Sequence, residues 1–130
     1  MYEQVTHSIR VRAAPKYIEE RSTPEESYYF WAYTIEIANQ GKAAVQLRSR
    51  VWRITDSNGH TEEVRGPGVV GESPVIEPGK SFTYTSGCLL RTASGLMVGS
   101  YAMTKADGTS FEVAIPAFSL DSPYARPRLN

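Results

Sequence analysis

From Ser27 to Asn39 the chain alternates, with Tyr29, Trp31, Tyr33, Ile35 and Ile37 on one set of positions and Phe30, Ala32, Thr34, Glu36 and Ala38 on the other. A helix repeats its faces about every 3.6 residues and cannot gather the odd-numbered set on one side, whereas a strand does so automatically. One face is large and apolar and the other mixes small and polar groups, as in a sheet covered on one side only. Phe30, on the polar side, is the exception. A long strand of this kind needs a second layer over its apolar face.

The opening segment carries the same alternation, with Val5, His7, Ile9 and Val11 against Thr6, Ser8, Arg10 and Arg12. Pro15 lacks the amide that a central strand donates, so an edge position or a bulge is expected there. Further on, Val45 and Leu47 are followed out of phase by Trp52 and Ile54, which requires a slip between Ser49 and Val51. Asp56-Ser57-Asn58-Gly59 supplies a tight turn, and His60 to Arg65 the returning strand of a hairpin. Gly66 to Lys80, with four glycines and three prolines, reads as an ordered loop. Ser81 to Ser86 is a short strand with Phe82 and Tyr84 in register. Leu96 to Lys105 and Ser110 to Ala117 flank the Ala106-Asp107-Gly108-Thr109 turn as a last hairpin. From Asp121 onward, Pro123 and Pro127 mark a loosely held tail.

No apolar stripe of helical period reaches about ten residues, so helix is minor or absent. About seven short strands separated by turns specify an all-β fold, a two-sheet antiparallel sandwich of the immunoglobulin or fibronectin type III kind. A small barrel is the alternative. In the sandwich, Trp31, Tyr33, Ile35, Phe111, Val113 and Ile115 pack between the layers.

A chain of 130 residues is the size of one domain, expected to span 1–130. It buries roughly two-thirds of its unfolded surface and needs neither metal nor disulfide to fold. Fourteen basic residues balance fourteen acidic ones, which removes a general electrostatic attraction for nucleic acid or anionic membranes. The single cysteine, Cys88, excludes a framework of paired cysteines. No stretch has the pattern of a signal peptide or of a membrane span, so a cytoplasmic protein without membrane insertion is expected.

Chemistry is sparse. The only imidazoles are His7, placed within strand alternation, and His60, placed after a turn, and neither sits in a nucleophile motif. Cys88 has no adjacent cation to stabilise a thiolate and reads as a small buried side chain. One cysteine, two separated histidines and scattered carboxylates offer no metal cage, so neither enzyme activity nor a cofactor is expected. Gly66-Pro67-Gly68-Val69-Val70-Gly71 matches G-x-G-x-x-G, which elsewhere lets a backbone approach a pyrophosphate at a helix N-terminus. Here Pro74 and Pro78 follow, Pro67 removes a donor, and Glu72 and Glu77 repel phosphate, with Arg65 compensating only in part. Arg65, Gly66, Gly68, Val70 and Gly71 therefore form a candidate binding loop whose glycines otherwise serve backbone freedom. Arg48 and Arg50, sharing a face with Trp52 beside them after the slip, form a candidate interaction patch. The alternative is a solvated face paired with Glu62 and Glu63.

Trp52-Arg53-Ile54-Thr55-Asp56, Gly66 to Glu72, Phe82 to Gly87, Gly99-Ser100-Tyr101-Ala102-Met103 and Ile115 to Leu120, in this order, resemble the bacterial ApaG family. The resemblance runs over almost the whole chain. It implies one ApaG domain with an immunoglobulin- or fibronectin type III-like sandwich. It also implies a link, through the family's naming, to cobalt and magnesium resistance or efflux. Related domains are attached to F-box proteins and to a DNA polymerase delta-interacting protein, which implies protein recognition. Gly66, Gly68 and Gly71 match the family's suspected pyrophosphate site. The expected partner is a protein, with a nucleotide at the glycine loop as the alternative.

Overall fold

The structure is a computed structural model and describes residues 2–125. Nine strands follow in order: β1 (Tyr2–Thr6), β2 (Ile9–Tyr17), β3 (Tyr29–Asn39), β4 (Val45–Asp56), β5 (Thr61–Pro67), β6 (Val75–Ile76), β7 (Ser81–Leu90), β8 (Ser94–Lys105) and β9 (Ser110–Asp121). Among the described residues helix is confined to two single 3-10 turns, Glu19–Arg21 and Pro24–Glu26. One sheet has the order β1-β2-β3-β7; the other has β5-β4-β8-β9, with β6 also pairing β4. All pairings are antiparallel. The two layers form the expected sandwich, the chain crossing from the first sheet to the second between β3 and β4.

The strand count exceeds the expected seven for two local reasons. The opening segment is a hairpin, because His7 (φ 49°) and Ser8 (φ 65°) both adopt the left-handed region and turn the chain back. Val5 is consequently 51% exposed on β1, while Ile9, Val11 and Ala13 of β2 are buried. His7 packs edge-on against Phe111 at 5.7 Å between ring centroids, in a turn and not in a strand. The second addition is β6, two residues in the middle of the expected loop, pairing with Val45 and Gln46 of β4. Pro15 sits opposite Tyr33, two positions past the point where β1 stops, so its missing amide faces no neighbouring strand among the described residues.

β3 presents Trp31, Tyr33, Ile35 and Ile37 to the core, and β9 presents Val113 and Ile115 from the other sheet. Phe111 lies only partly buried at the rim. The phase change in β4 is a bulge between Leu47 and Ser49, with Arg48 as the extra residue, two positions before the expected slip. The bulge turns Trp52 inward to 2% exposure, against Tyr33 (5.2 Å) and Phe118 (5.8 Å). Phe30, the apolar residue on the wet face, is covered by the Arg21 guanidinium at 4.3 Å. The tail expected from Asp121 is held over its described part: Ser122 is buried and donates its N–H to the Ala93 carbonyl at 2.9 Å. Tyr124 OH donates to Glu19 Oε1 at 2.6 Å. The remainder of that tail, 126–130, lies outside the described residues. No helix among the described residues is long and apolar enough to cross a membrane.

Candidate functional site

β5 leaves the second sheet at Pro67 and the chain rejoins it at β6. Between them, Val69 and Glu72 exchange both backbone hydrogen bonds, each at 2.8 Å. The intervening Val70 (φ 43°) and Gly71 (φ 80°) both lie in the left-handed region, which is a two-residue type I′ turn. Gly68 (φ 59°) starts this excursion, and a Cβ there would lie 2.2 Å from the Glu72 carbonyl oxygen. The Gly68 N–H donates to the Arg48 carbonyl at 2.9 Å, so the bulge in β4 receives the loop. Val69 is fully buried beneath the turn, while Val70 is 51% and Val75 is 56% exposed. The glycine pattern therefore builds a miniature hairpin, and Gly71 is followed by β6 instead of a helix. An anion approaching this loop meets N–H groups of Gly68, Val69 and Glu72 already donated to carbonyls.

Arg50 holds the loop from below. Its Nη1 donates to the Pro67 carbonyl at 3.1 Å and to the Gly68 carbonyl at 2.7 Å. Gly66 sits opposite Arg50 in the β4–β5 ladder, and a Cβ on it would meet that guanidinium at 3.1–3.3 Å. A Cβ at position 66 would thus press that guanidinium aside by a few tenths of an ångström. Arg50 has the strand phase of the buried Trp52, and its charge acts on the inward-facing Tyr33, Tyr84 and Tyr101.

The expected Arg48, Arg50 and Trp52 patch does not form as such. The bulge at Arg48 puts Arg48 and Arg50 out of phase, and Trp52 belongs to the core. Arg48 is exposed and donates from Nε to Thr104 Oγ1 at 3.0 Å. Beside it lies a shallow groove of about 340 Å³ lined by Val45, Gln46, Arg48, Val75, Thr104 and Lys105. Arg65 is exposed and bonds Glu63 Oε2 at 2.8 Å, while Arg53 lies 3.6 Å from the same carboxylate. The expected pairing with Glu63 thus engages Arg53 and Arg65, not Arg48 or Arg50.

Two features of this region escaped sequence reading. Asn39, 2% exposed, donates from Nδ2 to the Ala43 and Ile76 carbonyls at 2.8 and 2.9 Å and accepts from the Gly41 N–H at 2.9 Å. It anchors β6, the far end of the loop. Its position at the end of the alternating segment gives no sign of this burial. The second is the hydroxyl pair of Tyr84 on β7 and Tyr101 on β8, hydrogen-bonded across the two sheets. Burial raises both phenols above their ordinary range. Burial also pushes the Cys88 thiol up to about 11, so it is a poor nucleophile. His60 is largely exposed, 3.7 Å from Asp56. Among the described residues no three His, Cys, Asp or Glu side chains are grouped to hold a metal ion.

A family model described as the ApaG domain matches residues 19–105. The chain belongs to the ApaG family. A "Protein ApaG" of Rhodospirillum centenum is 58% identical over the whole of both chains. One of Methylorubrum populi is 60% identical over 126 residues, 97% of each chain. Among solved structures, the putative ApaA protein of Bordetella pertussis is 44% identical, with 90% of this chain and 95% of that one covered and a TM-score of 0.87. The C-terminal domain of wzt, at 9% identity and TM-score 0.56 over 96% of this chain and 79% of that one, shares the fold alone. Arg48, Arg50 and the whole Gly66–Ile76 segment lie inside the stretch matched by the ApaG domain model.

Proposed function

We propose that this ApaG chain is a non-enzymatic interaction module that presents the Val70 tip and the adjoining Arg48 and Val75 surface to a protein partner. The observation that carries this reading is Val70 itself. A β-branched residue in the left-handed region is costly, on the order of 1–3 kcal/mol, and such strain collects at functional positions. The strained side chain is half exposed, so packing within the fold does not account for it. The loop beneath it is fixed by paired backbone bonds and by Arg50, so little ordering entropy is lost on binding. The groove lined by Arg48 and Val75 adds a place for an apolar or acidic side chain of the partner. Any influence on cobalt or magnesium tolerance is indirect, through that partner.

The test is affinity capture from the native cytosol with wild type, Val70→Asp and Val70→Asn. Asn accepts the left-handed region, so Val70→Asn removes the apolar tip while keeping the turn. A partner retained by wild type and lost by both variants supports the reading, and identical partner sets for all three chains contradict it.

A further inference from the structure

Among the described residues the two sheets end in β1 and β7 on one and in β9 and β5 on the other, the two-residue β6 lying beyond β5 along the same edge of β4. Sheet edges expose unpaired backbone donors and acceptors, and proteins blunt them with charges, prolines or covering groups. β1 carries Glu3, β5 carries Glu62, Glu63, Arg65 and Pro67, and β9 carries Glu112, Pro116 and Asp121. β1 and β9 also close against each other: Thr6 Oγ1 accepts from the Ala114 N–H at 3.3 Å and Tyr2 OH from the Ser119 N–H at 3.4 Å. β7 has none of these protections. Its ten residues include no charge and no proline, and it pairs with β3 from end to end without a register shift. Among the described residues no strand covers its outer edge.

We propose that β7 pairs antiparallel with β7 of a second copy, joining two four-stranded sheets into one continuous sheet about a two-fold axis. A charged strand laid on this edge would have its charges partly desolvated with no opposite charge to meet, so the edge favours an uncharged partner. Among the described residues β7 is the only long strand that meets the requirement; β6, also uncharged, has two residues. An axis perpendicular to the sheet and centred on Ser86 keeps inward side chains inward and outward ones outward. That register sets Thr85 beside Gly87 of the second copy and covers Leu89, 37% exposed, with Thr83 of the second copy. The seam is short, nine strand residues a side (Phe82 to Leu90) against about 20–30 in a standard interface, so association is weak, with a Kd on the order of 10–100 μM.

Sedimentation velocity from about 5 μM to about 1 mM tests this, with amide exchange of β7 recorded at both ends of the range. The wild type is expected to dimerise reversibly, and its β7 amides to slow as concentration rises. Thr83→Lys/Thr85→Lys brings the two ammonium groups at position 85 together diagonally across the axis and sets the one at position 83 over Leu89 of the second copy, and is expected to weaken the dimer at least about tenfold. Thr61→Lys on β5 leaves it unchanged. Thr85 shares a 2.9 Å bond with Thr34, so the single exposed Thr83→Lys serves if the double variant does not fold. A wild type that stays monomeric at the upper concentration overturns the proposal, as does a dimer indifferent to both lysine variants. β7 amides that slow in a monomer only when an uncharged Val/Thr decapeptide is added also overturn it, assigning the edge to foreign peptides.

Discussion

Arg50 Nη1 donates at 2.7 Å to the carbonyl oxygen of Gly68, eighteen positions further along the chain and at the point where the backbone turns left-handed. One cation thereby fixes the foot of the Val70 tip to the second sheet. Arg50→Met keeps the stem of the side chain and removes the donor. It is expected to cost about 1–2 kcal/mol in urea denaturation, at the lower end for a bond to a charged group because the site is only part-buried. Amide exchange of Gly68 to Glu72 accelerates while the β3 and β8 amides do not. Equal acceleration everywhere would mean that Arg50 supports the fold at large.

Gly68→Ala tests the turn from the other side. The added methyl meets the Glu72 carbonyl at 2.2 Å in a backbone conformation that alanine disfavours. The expected loss is about 2–4 kcal/mol, read as a lower urea midpoint with unchanged m-value.

Val70→Asn is expected to act in the opposite direction, because Asn-Gly is the preferred pair for a type I′ turn. Stability rises by about 1 kcal/mol and the melting temperature by about 3–5 °C. A melting temperature that falls would remove the argument that strain is stored at Val70.

Asn39→Ala strips the Ala43 and Ile76 carbonyls and the Gly41 amide of their partner in a buried site. The cost is on the order of 3 kcal/mol. Chemical-shift changes are expected to concentrate in 40–44 and 75–80.

The long alternation of β3 and the Asp107-Gly108 hairpin were legible because each is written in neighbouring residues. The His7-Ser8 turn was not, since neither residue is a left-handed former by default. A period of two reveals that a bulge exists without fixing where: a slip anywhere between Leu47 and Trp52 returns the tryptophan to the buried face of Leu47, and moving it from Ser49–Val51 to Arg48 takes Arg50 off the face of Arg48, so the expected patch lost both neighbours of Arg48. The glycine loop was read correctly as lacking a helix, yet its clamp is tertiary. Nothing near Arg50 in sequence points to carbonyls at 67 and 68. The same holds for the bond between Tyr84 and Tyr101.

Alkaline pH probes that interlayer pair. Burial raises Tyr84 and Tyr101 above the ordinary phenol value of 10.0, and raises Cys88 from 9.0 to about 11. The folded chain therefore holds these protons more tightly than the unfolded one. Their contribution is fully present below about pH 9 and is lost as pH rises through the folded values. Unfolding free energy is expected to be flat between about pH 7 and 9 with respect to these groups and to fall above that. Phenolate absorbance from the two buried tyrosines should appear together with unfolding, and Tyr84→Phe/Tyr101→Phe should remove part of the decline. Ionisation of both near pH 10 in a native chain would contradict their burial.

The claim that the Val70 tip meets a protein partner is tested most directly by photo-crosslinking in living cells. A photoreactive residue is placed at position 70 in one chain and at the exposed Lys42 in another. The account predicts a discrete crosslinked protein from position 70 that is missing from position 42. The same products from both positions, or none from position 70 at full expression, would contradict it.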